Sequence, residues 1–414
     1  MVSSSKSKER TILITGAAGQ IGIELIIQLR KRYGNKNVIG IGRTTPPLAV
    51  LNQQCPGPFY LGVDVRKMND LEGILKKHKD IDTIYHLAAI LSGEGEKNPL
   101  QCWDVNMNGT LTVLEFAKKN GISRVFIPSS IGAFGSDAPR QAPQDCAMHP
   151  STMYGVTKVA GELLGDYYAK KYGMRVRGVR LPGVISSEAM PGGGTTDYAV
   201  EIFYEALKNG KYECYIDADT AMPMVYMPDA IKAMIDLCEF EETENKKLTH
   251  YCDFNVTAFS FTPRQLAQKI QLFIPDFQIT YKPDFRQKIA ESWPDNMLDT
   301  VARQEWEWKP SFTFEAMVQD MIEKLRDRKK KQEVIILNRK GQKKNHKHQN
   351  YDSSFFDPFV IGFYFFASFF LVSYKVKLYF FTMRIQAQQL LFRQTTFHFN
   401  ISLVQHYIHE SQRD

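Results

Sequence analysis

The chain has no paired cysteines. Its six, Cys55, Cys102, Cys146, Cys214, Cys238 and Cys252, are scattered, and none forms a Cys-x-x-Cys pair. That spacing argues against a zinc site and a disulfide framework and fits a reducing compartment. The body also lacks charge of one sign. The formal net charge is +7, yet residues 324–350 alone hold 11 Lys/Arg against 2 Asp/Glu, more than the whole-chain surplus. Everything outside that run is slightly acidic. A terminal basic run reads as a solvated tail. Nothing in the body resembles a nucleic-acid-binding module, so no nucleic-acid partner is expected. Residues 1–10 are polar and Ser/Lys-rich, without the apolar region of a secretory signal. Only Phe359–Tyr374 raises a membrane question, at the lower limit of length for a span. Lacking caps and clear periodicity, it reads as an extension that adds no chemistry, with no membrane partner unless it inserts.

What is present is an alternation. Apolar, β-branched runs at Thr11–Thr15, Val38–Ile41, Phe59–Val63, Thr83–Leu87, Val125–Pro128 and Arg175–Leu181 are separated by helix-length segments. The helical segments are Ile21–Arg32, Asn69–Lys77, Leu100–Asn120 and Met153–Tyr172. Strands that are apolar without strict alternation are buried on both faces, which predicts an α/β doubly wound parallel sheet of the Rossmann type. A chain of 414 residues has room for more than one unit. After Leu181 the punctuation changes, predicting a smaller substrate lobe over 182–328, closed by an amphipathic helix from Phe314 to Leu325. The expected organisation is a flexible 1–10, a dinucleotide domain over 11–181 with later returning segments, the lobe, and a basic then aromatic-rich tail over 329–414.

Thr15-Gly16-Ala17-Ala18-Gly19-Gln20-Ile21-Gly22 follows the first strand and opens the first helix. Glycines at this spacing let the backbone approach a pyrophosphate, and the helix N-terminus supplies unpaired N–H groups. Gly16, Gly19, Gln20, Ile21 and Gly22 are therefore candidate cofactor residues. The end of the second strand usually carries an acid for the adenine ribose; here Gly42 and Arg43 stand there. No carboxylate repels a 2′-phosphate, and an arginine accepts one, so NAD and NADP both remain open on local chemistry. Arg43 stacking on adenine or facing solvent are the other readings. Asp64 and Val65 at the third strand end would meet the adenine edge, and Leu87, Ala88 and Ala89 at the fourth would border the pyrophosphate. His86 reads as a core histidine with no catalytic role.

Tyr154 and Lys158 stand four apart, on one face of the helix expected over 153–172. An ammonium near a phenol favours the phenolate, which predicts a tyrosine pKa below its usual ~10 and a general base near neutral pH. The spacing alone is equally that of a solvated helix face.

The glycine loop, His86-Leu87-Ala88-Ala89 and Tyr154-Gly155-Val156-Thr157-Lys158 together resemble the extended short-chain dehydrogenase/reductase family. A narrower resemblance, to its short-chain L-threonine 3-dehydrogenases, rests on Pro128–Gly135, Leu181–Ser186, Pro191–Tyr198 and Pro223–Met227. It spans about Thr11 to Leu325. It implies oxidation of the L-threonine hydroxyl by NAD to 2-amino-3-oxobutyrate. Tyr154 would act as base, and Lys158 would lower its pKa and bond the nicotinamide ribose. Ser130, in preference to Ser129, would hold the substrate oxygen, and Leu181 joins the cofactor set. A zwitterionic substrate needs polar partners, for which Ser92, Thr195 and Thr196 are candidates. Gly194 belongs to a glycine lid over 192–194, and Trp293 closes the site. Thr195 reads alternatively as a helix cap, and Trp293 as core. The resemblance also implies a homodimer through helices 100–120 and 153–172, and mitochondrial residence for eukaryotic members, otherwise cytoplasmic. No metal is implied. A nucleotide-sugar epimerase or dehydratase and a non-catalytic NAD(P)-sensing protein are the competing readings. Against the dehydratase stands the lack of an acid in Ser130-Ile131-Gly132. Against the sensor stand intact Ser130, Tyr154 and Lys158.

Overall fold

The computed structural model describes residues 10–45, 51, 55–188 and 192–348, with side chains through Lys331. The chain divides into two units, Met1–Glu333 and Val334–Asp414. Of the second, only the backbone of residues 334–348 is described, and it is helical. The aromatic-rich segment Phe359–Tyr374 lies outside the described residues. Among those described, no helix is long and apolar enough to cross a membrane.

In the first unit six strands form one parallel sheet. They are β1 (Thr11–Thr15), β2 (Val38–Ile41), β3 (Phe59–Tyr60), β4 (Ile81–His86), β5 (Arg124–Phe126) and, after two short strands, β8 (Arg175–Arg177). Their order is β3-β2-β1-β4-β5-β8. Residues of β1 pair with both neighbours, Ile14 facing Gly40 on β2 and Tyr85 on β4. The strand order therefore reverses between β1 and β4, where a doubly wound sheet opens its ligand crevice at the carboxyl ends.

Both faces of the sheet are covered, as the unalternating apolar strands require. Helices Gln20–Tyr33 and Met227–Glu239 pack on one face through Ile23, Ile26, Ile231 and Met234. Helices Met68–Lys77, Gly109–Lys119 and Met153–Tyr172 supply Leu71, Val113, Phe116 and Tyr168 to the other. Each such apolar side chain, fully buried, contributes roughly 1.5–3 kcal/mol relative to exposure. A third core, with Tyr198, Phe203, Phe261, Trp293 and Met317, belongs to later elements.

Two expected strands are broken at one level. The fifth ends at Phe126, and the short β6 (Ser129–Ser130) follows Pro128. The sixth divides into β8 and β9 (Val179–Leu181) around Gly178. A side chain at Gly178 would meet the Ile127 carbonyl oxygen at 2.2 Å, and its N–H turns to the Tyr251 carbonyl. Pro128 has no N–H for the ladder. Past this kink β6 and β9 join Phe254–Asn255 in a second sheet, which carries Ser129, Ser130 and Leu181 over the crevice.

The helix expected over 100–120 is also interrupted. Pro99–Trp103 and Gly109–Lys119 are joined by a π turn over Asp104–Asn108. The wide turn lets Asn106 reach sideways: its Oδ1 accepts from the Ile90 N–H at 2.8 Å, and its Nδ2 donates to the Ile90 carbonyl at 3.0 Å. Single π turns recur at functional sites for this kind of reason.

Candidate active site

The crevice begins at the loop after β1. Gly16 has φ +64°, and a side chain there would meet Ala88 N at 2.7 Å, so the loop lies directly against the end of β4. A side chain at Gly22 would meet the Gly16 oxygen at 2.5 Å. These two glycines are required by close approach, and the first turn of helix Gln20–Tyr33 presents N–H groups with no intrahelical partner. The Gln20 Nε2 is buried without a partner among the described residues. An orphaned donor beside a helix N-terminus fits an anionic pyrophosphate.

A cleft of about 900 Å³ runs from this loop past the ends of β2 and β4 to β6. Gly16, Gly19, Gln20, Ile21, Gly22, Arg43, Asp64, Val65, Leu87, Ala88, Ala89, Tyr154, Lys158 and Leu181 all line it. So do Ser92, Ser130, Gly194, Thr195, Thr196 and Trp293. Every residue expected at either end thus faces one cavity large enough for a dinucleotide and a small substrate. Among the described residues no cluster of three or more His, Cys, Asp or Glu is placed to hold a metal ion.

Helix Met153–Tyr172 starts where Thr152 Oγ1 accepts from the Gly155 N–H at 3.0 Å, and it ends at Gly173 in the left-handed region, φ +64°. This fixes Tyr154, Lys158 and Glu162 as successive turns of one face. Gly132 makes room for the phenol, because a side chain there would meet the Tyr154 ring at 2.9 Å. The Ser130 hydroxyl accepts from the Gly132 N–H at 3.1 Å and stands near enough to the Tyr154 phenol to favour its charged form. Ser129 is differently committed: its hydroxyl donates to Glu162.

The expected electrostatics of the pair is corrected. Burial pushes the Tyr154 phenol up to about 12, against the lowering effect of Ser130. Lys158 does not offset that rise. Its Nζ donates to the Pro128 carbonyl at 2.7 Å and lies 5.4 Å from the centre of the phenol ring. Burial brings Lys158 itself down to about 8, opposed by the charge of Glu162. Spacing placed the groups one turn apart, but desolvation of both outweighs their mutual effect.

His86 is a buried core residue, with Nδ1 2.8 Å from Thr15 Oγ1 and Nε2 3.2 Å from Thr110 Oγ1. Burial holds it down to about 3, neutral at any physiological pH. Elsewhere along the cleft, Ser92 Oγ and Thr195 Oγ1 lie 3.0 Å apart, both buried. Thr195 is not a cap. Asp197 takes that role, its Oδ2 accepting from the Gly193 and Gly194 N–H groups at 2.8 and 2.6 Å. Burial pushes Asp197 up to about 6. Trp293 both lines the cleft and belongs to the third core.

Four supporting residues escaped the sequence reading. Asn106 ties the segment after β4 to helix Met153–Tyr172 through Thr157 Oγ1, at 3.2 Å. Asp197 stands inside the Gly-Gly-Gly-Thr-Thr-Asp run, and an acid just after glycines with spare N–H groups was the available signal. Glu162 and Arg180 form a buried pair, Nε–Oε1 3.0 Å and Nη2–Oε2 2.8 Å. The third turn of a Tyr-x-x-x-Lys-x-x-x-Glu face marked the glutamate, but nothing local marked its partner.

Comparison with known proteins agrees with this geometry. Residues 12–256 match the model of the NAD dependent epimerase/dehydratase family. An uncharacterized epimerase/dehydratase of Staphylococcus haemolyticus is 44% identical over 322 residues, 77% of this chain and 98% of that protein. The mitochondrial L-threonine 3-dehydrogenase of Bos taurus is 42% identical over 320 residues, 77% of this chain and 83% of that protein. The X-ray structure of the Clostridium difficile L-threonine dehydrogenase superposes with a TM-score of 0.73 at 48% identity, covering 78% of this chain and 99% of that one. Mitochondrial and bacterial relatives stand at similar identity, so the likeness favours no compartment. A glycine loop against β4, a tyrosine–lysine helix at the cleft and a family match over more than half the length converge: the chain is an enzyme of the NAD dependent epimerase/dehydratase family.

Proposed function

We propose that this enzyme oxidises the hydroxyl of L-threonine to 2-amino-3-oxobutyrate, with a nicotinamide dinucleotide as oxidant. The observation that carries the reading is one cleft lined by Ser130, Tyr154 and Lys158 together with the buried Ser92–Thr195 pair. The glycine loop and the first turn of helix Gln20–Tyr33 would hold the pyrophosphate, and Lys158 the nicotinamide ribose. The bound dinucleotide supplies the acceptor for the hydride lost from the substrate carbon. The chain's own residues manage the proton and the orientation. Ser130 holds the substrate oxygen, and Tyr154 takes the hydroxyl proton, which requires Ser130, the adjacent Lys158 ammonium and the positive charge of an oxidised nicotinamide to offset the effect of burial on the phenol. Ser92, Thr195 and Thr196 offer polar atoms to the ammonium and carboxylate. The Gly192–Gly194 segment, bound to Asp197, closes over them and excludes water.

A homodimer accompanies this reading. Helices Pro99–Trp103, Gly109–Lys119 and Met153–Tyr172 leave Leu100, Trp103, Leu111, Val156, Leu163 and Tyr167 exposed. Apolar residues concentrated on adjoining helices mark an association surface.

The test uses the purified full chain with L-threonine and either NAD+ or NADP+, following absorbance of the reduced nicotinamide. Threonine-dependent reduction is expected with at least one of them; none with either rejects the reading. Tyr154→Phe should lose roughly 10²–10⁴-fold in turnover while still binding dinucleotide. Full turnover in that variant removes Tyr154 from the role.

A further inference from the structure

We propose that the adenosine end of the cleft is built for a 2′-phosphorylated dinucleotide, with Arg43 as the residue that binds the extra phosphate. The inference rests on the dinucleotide reading of the cleft and specifies which dinucleotide it takes.

Three observations carry it. The first is an absence. The sequence holds no Asp or Glu between Glu24 and Asp64, so the whole span from the end of β2 through β3 has no carboxylate for a ribose diol. Asp64, the first acid met, is already engaged. Its Oδ1 accepts from Arg66 Nε at 2.9 Å and from the Arg66 N–H at 3.1 Å, and its Oδ2 from Arg66 Nη2. A carboxylate so saturated is a poor acceptor for ribose hydroxyls, and its charge is offset where a phosphate would sit.

The second is the position of the cation. Gly42 N–H donates to the Tyr60 carbonyl at 3.0 Å, and the Gly62 N–H donates to the Arg43 carbonyl at 2.9 Å. The backbone at Arg43 is thereby held between β2 and the segment leading to Asp64. The Arg43 side chain is exposed, lines the cleft with Thr44 and Thr45, and makes no ion pair among the described residues. A guanidinium fixed at its base, near enough to Asp64 to favour that carboxylate's charged form but in no ion pair with it, suits bidentate phosphate binding, with two threonine hydroxyls as further donors. In doubly wound folds an arginine near this strand end accommodates a 2′-phosphate, where an acid would hold the unmodified ribose.

The third is that glycine at position 42 answers no backbone demand. Its φ lies outside the left-handed region, and a side chain there would meet only the Thr45 oxygen at 3.7 Å, Leu61 Cδ2 at 3.9 Å and Phe59 Cε1 at 4.0 Å. An aspartate fits. Its absence therefore leaves room beside Arg43 for a ligand group.

The test is titration of the full chain with NADPH and with NADH, without threonine, read by nucleotide fluorescence. Wild type should bind NADPH at least about tenfold more tightly than NADH, as expected for hydrogen bonds to a charged group. That advantage should shrink with added salt. R43A should lose the preference through weaker NADPH binding, and G42D should invert it. Equal or tighter binding of NADH by wild type overturns the proposal alone and leaves the dinucleotide site standing. Equal loss of both nucleotides in R43A also overturns it, since that is the signature of adenine stacking. Binding of neither nucleotide by wild type overturns it together with the dinucleotide reading.

Discussion

Arg180→Met should destabilise this enzyme strongly, and the structure fixes both the size and the pH dependence of the loss. Arg180 is buried, and its guanidinium meets Glu162 Oε1 at 3.0 Å, Glu162 Oε2 at 2.8 Å and the Gln144 carbonyl at 2.8 Å. Glu162 is buried as well, with Ser129 as its other hydrogen-bond partner. Removing the arginine leaves a carboxylate in the interior with one hydroxyl for company, a loss of about 3–5 kcal/mol. Orphaning the Gln144 carbonyl adds about 1–3 kcal/mol, less whatever water recovers. Burial already raises Glu162 above the ordinary carboxylate range, with Arg180 as the leading opposing influence, so the variant raises it further. A carboxyl whose folded pKa exceeds its unfolded value contributes stability that is present below the unfolded value and lost as pH rises through the folded one. The deficit of Arg180→Met therefore deepens from acidic towards alkaline pH. Urea unfolding followed by tryptophan fluorescence at several pH values reads both effects. The double variant Glu162→Met/Arg180→Met should regain about 2 kcal/mol, since a matched apolar pair removes the stranded Glu162 charge, while Asp253, 3.5 Å from Arg180 Nη2, keeps His250 as its partner. A loss below about 1 kcal/mol at neutral pH, or one independent of pH, refutes the reasoning.

Two further outcomes follow from the site and its surface. Asp197→Ala removes the acceptor for the Gly193 and Gly194 N–H groups, and the threonine KM should rise about tenfold, the scale of one charge-assisted hydrogen bond. Because Asp197 sits near 6, wild-type KM should also climb as pH falls through that value and the acceptor loses its charge; a KM flat across this range in wild type refutes the assignment. Leu100 is 83% and Leu163 67% exposed, so Leu100→Lys/Leu163→Lys should convert a dimer into monomers by analytical ultracentrifugation. A monomeric wild type removes the proposed interface.

The fold was legible where the signal is local. The strands Thr11–Thr15 and Val38–Ile41 and the helix Met153–Tyr172 have the expected bounds, because β-branched runs and a Thr152 cap with a closing Gly173 act on their own neighbours. Breaks in the ladder were not legible. Pro128 is visible as a proline, but that Gly178 must change partners depends on the Ile127 carbonyl pressing against it from another strand. The π turn at Asp104–Asn108 has the same origin: Asn106 is drawn out of helical register by Ile90 and Thr157, neither of which is near it in sequence.

The same distinction governs the chemistry. A four-residue spacing guarantees that Tyr154 and Lys158 adjoin, and nothing else about them. Whether adjacency lowers a pKa depends on how much water each group keeps and on where the lysine's protons point. Both were decided from outside the helix, by Gly132 admitting the phenol into a dry wall and by the Pro128 carbonyl claiming the ammonium. Pro128 is also the residue at which β5 gives way to β6. One kink thus does two things: it delivers Ser130 to the phenol, and it turns a carbonyl towards Lys158. Replacing Pro128 with alanine would restore an N–H to the chain without removing that carbonyl. The consequence for Lys158 would therefore come only through a shift of the kink. A direct comparison of the lysine's titration in Pro128→Ala and wild type would separate the geometry of the strand break from the burial of the site.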